Sequence, residues 1–214
     1  MKKISFFIIS AALVMFCCPQ ILRAQNVSTP DDKQGASPRK RTGIFTLYAY
    51  DPLARTLCFN DGKEGRAIAA NQWGNRCSDL SYSLAGQGVL VAGIEINRVA
   101  AIVDLGTAND LRERYEFEDA ENGGVGFASL RLEGGKLQVL QEDNTTPVWQ
   151  TLKEGPQLFT DVRASANAPI KLGHIYLVRT VDTKDRNFQQ IAKLMVIAYR
   201  PDESVTVRWE LLSK

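Results

Sequence analysis

The clearest periodicity lies near the end of the chain, where Val205, Val207, Trp209 and Leu211 alternate with Thr206, Arg208 and Glu210. Period-two alternation marks an antiparallel strand with one face on a core and the other in water. Segments 174–181 and 191–199 are apolar on both faces and predict fully buried strands. Segment 44–50 is dense in β-branched and aromatic residues and stops at Asp51-Pro52, a turn signal. Two hairpins are expected: 89–96 with 99–105 across Asn97-Arg98, and 125–132 with 137–140 across Glu133-Gly134-Gly135-Lys136. Asn and Gly accept the positive φ that tight turns require. One helix is expected after Thr107, which sits three residues before Asp110 at capping-box spacing, with Leu111 and Tyr115 sharing a face four residues apart. Short strands without βαβ alternation predict a mainly β protein: an antiparallel β-sandwich or barrel with one short capping helix.

The N-terminus breaks this pattern. Lys2 and Lys3 precede an apolar run of 15 residues, 4–18, and Leu22-Arg23-Ala24 ends on a small residue suited to cleavage. The run is short for a bilayer span, which takes about 20 residues. Residues 1–24 therefore read as a signal peptide cut after Ala24, giving a secreted or periplasmic protein with no stable membrane insertion. Retention by an uncleaved segment is the alternative. Residues 25–42 are polar, carry Arg39-Lys40-Arg41 and read as a flexible tether, leaving 43–214 as one β-rich domain.

Removing the signal's three bases from the total of 26 leaves 23 against 24 acids, a net charge of −1. With 44% hydrophobic and 23% charged residues, the composition is that of an ordinary globular domain. Neither number supports binding to nucleic acid. Two of the four cysteines fall in the signal, so Cys58 and Cys77 remain as an exported pair, most simply a disulfide. A zinc site would need closer Cys or His spacing, and no metal or cofactor motif is present.

Catalytic templates find little purchase. A Ser-His-Asp or Cys-His site needs a histidine base, and the chain has one histidine, His174, which opens a strand beside Gly173 and reads as a rim residue. Carboxylate pairs can cleave glycosides without histidine, and Glu95, Asp104 and Asp182 are the candidate acids. The acidic turns around 60–64, 116–124 and 182–187 lack calcium-loop spacing and read as solvated turns. The segment best suited to recognition lies inside the disulfide loop, at Asn71, Gln72, Trp73, Asn75 and Arg76. There an indole can stack on a sugar or anchor in a protein pocket while amides and a guanidinium hydrogen-bond.

These features point to an exported, non-catalytic β-domain that binds a glycan or an envelope protein. A structural subunit of the cell envelope and a carboxylate-dependent hydrolase are the alternatives. Replacing both Cys58 and Cys77 by serine should lower the unfolding free energy by about 3 kcal/mol, the loop-entropy value for a loop of this size. Urea denaturation of the oxidised protein and the double variant measures the difference.

Overall fold

The computed structural model describes residues 41–51, 54, 56–65, 77–82, 88–116, 127–141, 148–160 and 166–213. The chain divides into two units, Met1–Ser37 and Pro38–Lys214, and every described residue belongs to the second. In chain order the elements are β1 (Thr42–Tyr48), β2 (Thr56–Leu57), β3 (Leu80–Tyr82), β4 (Val89–Ala92), β5 (Arg98–Thr107), α1 (Ala108–Tyr115) and β6 (Leu130–Glu133). They continue with β7 (Lys136–Gln141), β8 (Val148–Thr151), α2 (Gly155–Thr160), β9 (Asn167–Pro169), β10 (His174–Asp182), β11 (Gln189–Arg200) and β12 (Ser204–Ser213).

Three antiparallel sheets result: a five-stranded sheet in the order β1-β12-β11-β10-β5, a four-stranded sheet β2-β3-β4-β9 and a three-stranded sheet β6-β7-β8. The packing is sandwich-like and no sheet closes into a barrel. Strand alternation sorts the five-stranded sheet into two cores. Tyr176, Val178, Ala192, Leu194, Val205, Val207 and Trp209 pack with Leu57, Leu80 and Leu90 of the four-stranded sheet. Ile175, Leu177 and Ile191 point the other way, into a core shared with Leu111, Leu137, Val139 and Leu158. The two strands expected to be apolar on both faces are therefore buried on both faces.

Local chemistry explains the elements that the sequence announced. Gly134 and Gly135 turn β6 into β7 with φ of 56° and 75°, as a tight hairpin turn requires. Thr107 caps α1 through a complete capping box with Asp110, and Leu111 and Tyr115 are the buried residues of the helix. A second short helix, α2, lies beyond the one expected; Pro156 suits its first turn and Leu158 buries it. Cys58 and Cys77 are disulfide-bonded with a Cα–Cα distance of 5.0 Å. Trp209 lies in the core at 3% exposure, packed on Phe59. Trp149 sits on the edge strand β8 beneath the Arg131 guanidinium.

Two expectations are corrected. Segments 89–96 and 99–105 do not form a hairpin: β4 pairs with β3 and β9, whereas β5 pairs with β10. Leu90 and Ala92 belong in the core between the sheets, so the chain crosses from one sheet to the other after β4. Gly93 makes that crossing, with φ of 70° and its Cβ position only 2.8 Å from the Ala100 amide nitrogen, so that only glycine fits. Asn97 does take the positive φ expected of it, 65°.

The second correction concerns β12, whose polar face is not wet throughout. Glu210 is 6% exposed and Lys193, opposite it on β11, is fully buried. The layer carrying β6–β8 covers this face: Lys193 Nζ lies 2.7 Å from Glu210 Oε2, donates to the Ala128 carbonyl and sits 3.9 Å from the Phe127 ring centroid. A buried pair is costly to break from one side, because the remaining charge loses its compensation. Lys193→Met should therefore destabilise the domain by roughly 3–5 kcal/mol, and adding Glu210→Leu should recover most of that loss. Chemical denaturation of the two single variants and the double variant checks this.

Candidate functional site

A cleft of about 450 Å³, open to solvent, lies where β5 runs into α1 beside β10. Asp104, Leu105, Gly106, Asp110, Glu113, Arg114, Lys171 and His174 line it. A β-bulge shapes its floor. Tyr176 pairs with Asp104 and Ile175 with Gly106, so Leu105 is an extra residue and His174 comes opposite Thr107 instead of Gly106. Bulges re-aim side chains in this way at sheet edges, and β5 is the edge of its sheet. Gly106 carries the bend at φ of 85°, and a Cβ there would lie 2.7 Å from Asp110 Oδ2.

The bulge also frees the Gly106 amide, which donates to Asp104 Oδ1 at 2.8 Å. The same carboxylate accepts from His174 Nδ1 at 2.8 Å and from Lys171 Nζ at 3.1 Å. Burial alone would raise the Asp104 pKa, but the bonds from His174, Gly106 and Lys171 outweigh it and hold the group below the ordinary carboxylate value. Beneath this cluster, burial and then the Asp104 charge push the Tyr176 phenol up to about 12. Tyr176 stays protonated, donating to the Pro169 carbonyl at 2.8 Å and accepting the Lys171 amide at 3.0 Å. These bonds tie the segment carrying Lys171 to β10.

The helix side is committed to structure. Asp110 accepts the Thr107 amide at 2.6 Å and its hydroxyl at 2.8 Å, which keeps its carboxyl below the ordinary value. Arg114 donates to the Asp110 and Leu105 carbonyls and pairs with Glu154. Among the described residues, the ligating groups the cleft has left are the Lys171 donors not given to Asp104, His174 Nε2 and Glu113.

Of the residues singled out in the sequence, Asn71, Gln72, Trp73, Asn75 and Arg76 lie outside the described residues. Cys77, at the end of that loop, donates its amide to Glu95 at 3.2 Å. The three candidate acids do not share one place. Glu95 and Asp182 flank the Arg98 guanidinium at 4.0 and 3.4 Å, while Asp104 stands six residues along β5, roughly 20 Å away at strand spacing. The amides of Lys184 and Asp185 hold the Asp182 carboxyl below its ordinary value. A general acid must be protonated, and both Asp104 and Asp182 are tuned the opposite way.

Asp61, Asp182 and Asp185 bind amides of their own turns. Among the described residues, Cys58, Cys77 and Asp79 form the one group with ligand atoms close enough for a metal, and the two sulfurs are joined to each other. No helix among the described residues is long and apolar enough to cross a membrane. Asp104 and His174 were each visible in the sequence, but their partnership across 70 residues was not; the available signal was an acid and a histidine at ends of otherwise apolar strands.

No family model, curated protein or solved structure matches the chain. The function must therefore be argued from the site itself.

A carboxyl with a depressed pKa stabilises the fold fully above its unfolded value, near 3.9, and stops doing so as the pH falls through the folded value. The stability gap between wild type and Asp104→Asn should therefore narrow as the pH drops below about 4. Urea titrations across that range test it; a gap unchanged down to strong acid contradicts the assignment.

Proposed function

We propose that this protein is an exported, non-catalytic β-domain that binds a glycan in the cleft between β5, β10 and α1. The supporting observation is the convergence of Asp104, Lys171 and His174 on one open cleft that, among the described residues, no serine, threonine or cysteine lines. Among the described residues, only Asp104 hydrogen-bonds the imidazole of His174. A base without a positioned nucleophile and acids held ionised make a hydrogen-bonding surface rather than a catalytic one. The export signal read from residues 1–24 and the disulfide suit a ligand met outside the cytoplasm.

A second reading, assembly in the cell envelope, draws on β1. This edge strand carries no charged residue, and Ile44 and Tyr48 stand 65% and 44% exposed on it. Unprotected edges favour pairing with another strand.

A thermal-shift screen against envelope and plant oligosaccharides, with Lys171→Met alongside and light scattering on the same samples, separates the readings. Binding in the cleft predicts a glycan-dependent rise in unfolding temperature that the variant loses. A ligand at about 100 times its Kd should contribute roughly 2.7 kcal/mol. Assembly predicts oligomers that grow with concentration and no glycan response.

A further inference from the structure

The hydrogen bonds around Asp104 determine which groups the cleft can recognise. An ionised carboxylate only accepts, and Asp104 lies 2.8 and 3.1 Å from His174 Nδ1 through its two oxygens. The proton of the neutral ring must then sit on Nδ1, leaving Nε2 with a lone pair and no protein partner among the described residues. Lys171, 53% exposed, spends one N–H on Asp104 and turns its remaining donors to solvent. One cleft thus offers an acceptor and a cationic donor, both on side chains tied to one carboxylate.

The charge around them is specific as well. Asp104, Asp110 and Glu113 line the cleft against Arg114 and Lys171, a surplus of one negative charge with the imidazole neutral. Each nitrogen of the Arg114 guanidinium already donates once, to Glu154 or to a carbonyl, so an anionic ligand would have to compete with these bonds for its fork. An acidic sugar would meet Glu113, and both cations lining the cleft already hold a carboxylate, Lys171 that of Asp104 and Arg114 that of Glu154.

We propose, building on the glycan-binding reading above, that the cleft selects a neutral glycan through two of its hydroxyls. One hydroxyl donates to His174 Nε2 and the other accepts from Lys171 Nζ. Asp104 acts as a positioning residue that sets the tautomer of the histidine and holds the lysine beside it. Sugar hydroxyls suit this pair because each can donate or accept, whereas a carboxylate cannot donate to Nε2.

The single histidine makes the test direct. Long-range proton–nitrogen NMR on untagged, ¹⁵N-labelled protein at alkaline pH reports one imidazole, and the expected pattern is Nδ1 protonated and Nε2 bare. Cellohexaose, xylohexaose, mannohexaose and hexagalacturonate are then titrated in turn. At least one neutral hexasaccharide should move the Nε2 resonance while hexagalacturonate does not. Lys171→Met should weaken that binding roughly tenfold or more, the effect of losing a hydrogen bond to a charged group. An Nε2-protonated ring overturns the proposal. A response to hexagalacturonate alone also overturns it, yet leaves glycan binding in the cleft standing. Binding that leaves the imidazole unmoved removes both the proposal and the cleft. No response of either the resonance or the unfolding temperature to any sugar removes glycan binding itself.

Discussion

The structure depends on one constraint: β10 and β11 are apolar on both faces, so their sheet must be covered twice. The two cores satisfy it, one against β2–β3–β4–β9 and the other against β6–β8 and the helices. The crossover at Gly93 follows, because β4 is needed in the covering sheet while β5 is needed in the covered one. So does the buried Lys193–Glu210 pair, which fills a place in the second layer where alternation alone would have put water. A charged pair so enclosed adds little net stability over an apolar pair, but it ties β11 to β12 and, through Ala128, to the chain leading into β6.

The cleft forms where this double covering ends. β5 is the last strand of the sheet, and past Val103 its ladder with β10 is broken by the bulge. At the edge the bend is tolerated, and it turns a backbone amide and two polar side chains toward one another. The capping box that starts α1 lies three residues past Asp104, so Asp110, whose carboxylate closes that box, also forms the wall of the cleft. Rigid partners on both sides hold Asp104, His174 and Lys171 in place before any ligand arrives, which lowers the ordering cost of binding.

The protonation of the two groups at the centre of the cleft is set by their surroundings. Asp104 is pulled below its ordinary value by the same donors that a ligand would otherwise meet, and the Tyr176 phenol is pushed up to about 12. Neither group is poised near neutral pH to exchange a proton with a substrate. A site of this kind presents donors and acceptors whose roles are fixed by their neighbours.

Much of the secondary structure was legible from the chain alone, because turns, caps and alternation are local. The Gly134-Gly135 hairpin, the Thr107–Asp110 box, the burial of Trp209 and the Cys58–Cys77 bond each rest on residues close in sequence or on a pair without competitors. The misplaced hairpin at Asn97 shows the limit: a turn residue reports that the chain bends, not which strand the next segment joins. The same holds for Glu210, whose alternating position reads as solvent-facing until a third layer is known to cover it. Asp104 and His174 became a site only through the pairing of β5 with β10 and a bulge within it. Strand pairing is decided by the competition of many apolar faces for the same buried space. That competition is a property of the folded whole, whereas turns and caps are properties of a few neighbouring residues.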